Sequence, residues 1–172
     1  MRRHVYAGLV IALFALLESS FLPSALGTLP RPNLVLILTA TWAAIRGDEG
    51  FVWAFFGGLL LDLLSGAPFG INTAGLVLGN TAAILLDRVP IPIETLRATN
   101  WVAMTTVVFY SVTLIVLALA QRPFDIPLAF STVVLPALII NPVLAIPTYV
   151  VLRALQLRLR ERDRFIPERG RA

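Results

Sequence analysis

Six apolar runs, at residues 5–22, 33–45, 51–64, 71–86, 101–120 and 128–152, dominate the chain, and the stretches between them are crowded with proline, glycine or charge. Those stretches read "LPSALGTLPRP", "RGDEG", "SGAPFG", "DRVPIPIETLRAT" and "QRPFDIP". A bilayer-spanning helix needs ~20 mostly apolar residues, with a range of roughly 17–25. A soluble domain is about 45–50% apolar and about 25% charged; this chain is 58% hydrophobic and 14% charged, with a mean hydropathy of +0.84. One domain of 172 residues leaves too much surface exposed to hide that excess from water. The runs therefore predict an all-α polytopic membrane protein of six transmembrane helices, packed as one bundle over residues 1–152 with a basic tail at 153–172.

The second and third runs are short. They reach across by taking in flanking residues or by thinning the bilayer locally; a re-entrant pair made of the two would leave the parity of crossings unchanged. Pro136, Pro142 and Pro147 each remove a backbone donor from the last run, so a proline-kinked helix is expected there. The first run resembles a signal peptide, but it exceeds the usual apolar stretch of ~7–15 residues and contains Glu18, which favours a retained helix.

Arginine sets the orientation. With the N-terminus in the cytoplasm, Arg2, Arg3, Arg46, Arg88, Arg97 and the seven arginines from Arg153 to Arg171 fall inside, and only Arg31 and Arg122 fall outside. That asymmetry obeys the positive-inside rule and puts both termini in the cytoplasm of a multi-pass inner-membrane protein. Trp42, Trp53 and Trp101 then lie near the inner boundary, as an aromatic belt would. The net charge of +4 comes largely from the tail, which reads as a membrane anchor or a contact for a cytoplasmic partner or anionic headgroups. It does not read as a nucleic-acid surface. No cysteine is present, and the one histidine is His4. With no Walker lysine and no serine–histidine–acid set either, the residues give no ground for an enzyme, a metal site or a bound cofactor.

Two acids lie inside the runs, each near its outer end: Glu18 and Asp62. Unpaired acids in a bilayer cost several kcal/mol, so they face a bundle interior or an aqueous cavity and are functional suspects. On a helix Gly58, Asp62 and Ser65 share a face. Gly58 admits a neighbouring helix, and Ser65 is placed to donate to the carboxylate. Three readings follow: a partner's basic or polar group docks at the acids, the two acids line one polar pocket, or Asp62 caps the adjoining turn through "SGAPFG" amides. Gly75, Gly79 and Ala83 form a four-residue-spaced stripe that permits close helix packing, with Asp87 next on it. Asn80 needs a partner on another helix. Asn141, beside Pro142, suits a cavity, a hinge or a simple kink.

The segments "RPNLVLILTATWAAIRG", "GDEG" and "FVWAFFGGLLLDLLSGAPFG" resemble the MreD family, the small membrane subunit of the bacterial rod-shape (elongasome) system. The matching positions are Pro32–Asn33–Leu34, the charged turn from Arg46 to Gly50, and Asp62 with Ser65, Gly66, Pro68 and Gly70. Asn33 stands where the family more often has aspartate. The resemblance implies a non-catalytic scaffold that binds MreC and thereby joins RodA, its penicillin-binding transpeptidase and the actin-like MreB, for which the tail is a candidate contact, in guiding lateral wall synthesis. It also implies a fold similar to the vitamin-capturing subunits of energy-coupling-factor transporters. The alternative function is thus an outward-facing small-molecule-binding subunit, with a cavity lined by Glu18, Asp62 and Asn141.

The cysteine-free sequence makes the topology directly measurable. In cells, Gly66→Cys is expected to react with a membrane-impermeant maleimide, and Arg171→Cys only after the membrane is permeabilised. The reverse pattern would invert the topology.

Overall fold

A computed structural model describes residues 2–27, 29–87, 91–120 and 125–164. Arg88, Arg122 and the tail beyond Arg164 lie outside the described residues. The apolar runs become six helical rods, and no strand occurs among the described residues. Helix α1 covers residues 2–26, α2 is Leu34–Arg46, α3 is Asp48–Leu64, α4 is Ile71–Leu86, α5 is Glu94–Leu119 and α6 covers 126–164. Three of them, α1, α5 and α6, are long and apolar enough to cross a bilayer. At 1.5 Å per residue, α2 is only about 20 Å long and α4 about 24 Å, short of the ~30 Å hydrocarbon layer.

The shortness of α2 has a structural reason. Eight of its residues, from Val35 to Thr41 and Ala43, are buried, and α2 touches all five other helices. A helix apolar on every side belongs in the middle of a bundle, and this one forms the axis around which the rest are arranged. Val35, Leu36, Ile37 and Ala40 pack there against Ala15 of α1, Ala54 and Leu61 of α3, Leu76 of α4, Val102 and Phe109 of α5, and Ala145 of α6. The outward faces carry the opposite pattern: Leu13, Phe55, Leu85, Ile115 and Ile139, from α1, α3, α4, α5 and α6, are all exposed. Apolar surface of that extent belongs in lipid.

Small residues bring the helices together. A Cβ added to Gly58 would lie 2.5 Å from the Thr73 Cα, so α4 begins directly on the backbone of α3. The stripe on α4 faces α5: a Cβ at Gly75 would meet the Phe109 ring, and one at Gly79 would come within 2.9 Å of the Thr105 carbonyl oxygen. Ala83 completes the stripe against Trp101 and Ala43. Trp101 is 4% exposed, so it is a packing residue between α2 and α4 and no part of a lipid-facing belt. The reach of its large ring across the α4 stripe explains the difference.

Both terminal long helices contain a π turn. In α1 it spans Leu17–Phe21, and in α6 it spans Phe130–Val134. Each inserts one residue into the helical register. Pro136 follows the second π turn, and Pro142 and Pro147 lie within the continuous helix Leu135–Arg164.

The face of the bundle where α4 ends and α5 begins is tied by ions. Arg97 holds both oxygens of Asp87, with its Nε 2.9 and 3.2 Å away. Glu94 accepts from the Tyr149 hydroxyl and pairs with Arg153 at 3.3 Å. These contacts join the end of α4 to the start of α5, and that start to α6.

Gly58→Val is expected to overpack the α3–α4 contact and lower stability by about 1–3 kcal/mol, read as a lower thermal midpoint in detergent. Gly66→Ala meets open space and should leave the midpoint unchanged.

Candidate functional site

The first backbone amides of a helix have no partner within it. In water the solvent fills them; in a bilayer another group must, at a cost of several kcal/mol each if none does. Because α2 and α4 are short and begin on the same face of the bundle, the face carrying the 27–33 and 65–70 connections, their first turns are the acute case.

At α4, Asp62 of α3 does the capping from outside. Its Oδ1 accepts from the Asn72 amide at 2.9 Å, and its Oδ2 accepts from the Thr73 amide at 3.1 Å and from the Thr73 hydroxyl at 2.6 Å. Gly70 starts this helix in a left-handed conformation (φ +93°), after the Pro68 carbonyl has accepted from the Ile71 amide. The missing side chain at Gly58, one turn before Asp62, is what lets α4 come close enough for the carboxylate to reach. Ser65 does not donate to Asp62. It accepts instead from the Asn72 side-chain amide at 3.1 Å, because the three donors of Asn72 and Thr73 already occupy the acid. The amides that Asp62 captures belong to the helix after "SGAPFG", one turn beyond the hairpin itself.

At α2, three side chains share the task. Asn33 is the N-cap and accepts from the Leu36 amide at 2.8 Å. Glu18, in the π turn of α1, accepts from the Val35 amide at 3.0 Å. The Asn33 amide itself donates to Asn141 Oδ1 of α6 at 3.0 Å, and the Asn141 side-chain amide donates on to the Thr106 hydroxyl of α5 at 3.4 Å. The start of the axial helix is thus held by α1, α5 and α6 together. Asparagine and aspartate are equivalent as N-caps, which accounts for Asn33 at this position. A negative charge at each N-terminus also suits the positive end of the helix dipole.

The two acids do not share a pocket. A cavity of about 460 Å³ opens beside Glu18, Tyr110 of α5, Thr132 of α6 and the connection from Gly27 to Asn33. Neither Asp62 nor Asn141 lines it, since both point their polar atoms into helix starts. Asn80 donates to the Leu76 carbonyl of its own helix and not to a second helix, and its Oδ1 is buried without a partner.

The matched turn, hairpin and helix starts have one further counterpart. The family model for the rod shape-determining protein MreD matches residues 2–159. The chain belongs to the MreD family. MreD proteins take part in determining rod shape, and the apolar helices fit a transmembrane protein of that system. No curated protein sequence and no solved structure matches the chain, so the expected likeness to vitamin-capturing transporter subunits finds no support there.

Sequence reading singled out Asp62, Glu18, Asn33 and Asn141. It missed Thr73, Thr106 and Tyr110, which no local pattern marks, and the ionic clamp where α4 ends and α5 begins. In that clamp the hydrogen bonds from Arg97 hold the Asp87 carboxyl below its ordinary value of 3.8. A carboxylate depressed in the folded state stabilises fully above its ordinary pKa, and the contribution is lost as pH falls through the lower folded value. Thermal midpoints in detergent should therefore drop more steeply below about pH 4 for the wild type than for Arg97→Gln, the two curves converging at the acid end.

Proposed function

We propose that the chain is a non-catalytic scaffold subunit of the peptidoglycan elongation machinery of the bacterial inner membrane. It crosses the membrane six times with both termini cytoplasmic, docks MreC, and through MreC helps position RodA and its penicillin-binding transpeptidase. The arginine-rich tail, on the cytoplasmic side, is available to MreB or to anionic headgroups.

Beyond family membership, one observation carries this reading: both intramembrane acids are engaged in fixing helix starts. Asp62 is 4% exposed and all of its hydrogen bonds go to α4. Asp62 spends its hydrogen-bonding capacity on the α4 start, and the hydroxyl beside it, that of Thr73, donates to it as part of the same cap. What the acids produce is a body of fixed shape, and shape is what a scaffold offers. In lipid there is no hydrophobic force to press partners together, so affinity comes from close packing and interhelical hydrogen bonds. Both demand that the helices of the scaffold stand in one arrangement.

Asp62→Leu leaves the Asn72 and Thr73 amides unfilled and should loosen the α3–α4 hairpin. Its recovery of MreC in a mild-detergent pull-down is expected to fall roughly tenfold, the effect of about 1.4 kcal/mol. Leu63→Ala, on an exposed position next to it, should recover MreC at the wild-type level. Equal recovery by both variants, or no MreC with the wild type, would overturn the proposal.

A further inference from the structure

The two intramembrane acids differ in one respect. Asp62 is satisfied by its own chain: three donors reach it, and it is buried. Glu18 is not. One backbone amide, that of Val35, meets its carboxylate, which has about four acceptor sites, and the side chain lines the cavity. Among the described residues the ion pairs join Arg46 to Glu49, Arg97 to Asp87 and Arg153 to Glu94; none reaches Glu18. A membrane-level carboxylate without a counter-ion is costly and marks a functional site by default.

The surroundings of Glu18 specify how a cation reaches it. Helix α1 packs on α2 and α3, whereas α6 packs on α2 and α5, so the cavity lies in a cleft between two helices that have no broad contact with each other. Gly27 and the 29–33 segment form much of its wall, and the two π turns face each other across it, with Glu18 on one side and Thr132 and Val133 on the other. The register shift of a π turn aims side chains that a regular helix would turn away, and such turns recur at functional sites. Tyr110 also lines the cavity, and its hydroxyl bonds to no described residue. At the rim, Arg31 donates to the Gly27 carbonyl and is otherwise exposed. Glu18 precedes the end of α1 at Leu26 by eight residues, which puts it about 12 Å deeper along the helix. The charges in the cleft are therefore ordered, negative within and positive at the mouth.

We propose that the cleft between α1 and α6 seats a transmembrane helix of a partner chain, which brings a lysine or arginine to Glu18 and, nearer the 27–33 connection, an acidic group to Arg31. The inference rests on the scaffold reading and adds to it the place and chemistry of docking. The cavity has room for side chains from a helix laid across its opening. The basic group completes the carboxylate, and the Tyr110 hydroxyl is placed to turn toward the same partner. Asp62 takes no part in the contact.

The test is a pull-down of MreC by the full-length chain in mild detergent, with a photo-reactive phenylalanine at Val133 in the cleft or at Leu85 on the outer face of α4. The expected result is cross-linking to the MreC transmembrane helix from position 133 and none from position 85. Glu18→Gln keeps a carbonyl for the Val35 amide but removes the charge. It should lower MreC recovery about tenfold while lowering the thermal midpoint of the isolated chain less than Glu18→Leu, which also removes the acceptor for the Val35 amide; with a purely structural Glu18, recovery would follow the midpoint. Tyr110→Phe, which removes only a hydroxyl, should lower recovery less. Recovery of MreC with cross-links from position 85 alone, or full recovery by Glu18→Gln, would overturn this placement and leave the scaffold reading standing. Loss of MreC from the wild type would overturn both.

Discussion

The unfilled amides at the start of a helix are a minor matter in water and a governing one in lipid. In this chain the need is concentrated at the starts of α2 and α4, the two short apolar helices of the bundle. Each is met by a carboxylate from the preceding rod, Glu18 for α2 and Asp62 for α4. The acid gains charge-assisted hydrogen bonds, which are stronger than neutral ones, and the helix gains a counter-charge for the positive end of its dipole. Most of the remaining architecture follows from making those two contacts possible.

Gly58 removes the side chain that would hold α4 away from Asp62, and the α4 stripe of Gly75, Gly79 and Ala83 then seats α5 against α4. The axial position of α2 explains both its uniform burial and its need for help from three neighbours at once. On the opposite face the ionic contacts of Asp87, Glu94, Arg97, Tyr149 and Arg153 close the bundle where water is available to screen them. Surface ion pairs contribute little singly. Here they join three helix segments and so fix geometry more than they add stability. A membrane scaffold requires that outcome, since its partners recognise the arrangement of its helices.

Much of this was legible in the sequence. The apolar runs and their proline- and glycine-rich breaks foretold six rods, because hydropathy and breakers act locally. The intramembrane acids were conspicuous for the same reason. Asn33 before an apolar run is a local capping signal, and the Gly58–Asp62 spacing placed both on one face of α3. What was hidden depended on tertiary placement. That α2 would be the axis could not be read from its hydropathy, which a lipid-facing span would share. That Trp101 would be buried followed from the small residues of α4, remote in sequence. The π turns leave no trace in composition, yet they decide which way Glu18 points. The receiving groups, Thr73 and the backbone amides, are ordinary residues whose role appears only when the acid arrives.

One contact ties the beginning of the bundle to its end. The Asn33 amide is met by Asn141, 108 positions further along, so the axial helix enters the membrane long before its last acceptor has been synthesised. During that interval the ribosome has made the middle of the protein while one donor at the start of the axial helix stays open. A chain arrested before α6 keeps that donor exposed in hydrocarbon, where it costs several kcal/mol. Completion of α6 is thereby built into the stability of the bundle: a product that lacks it bears an unmet donor at the start of its own axis.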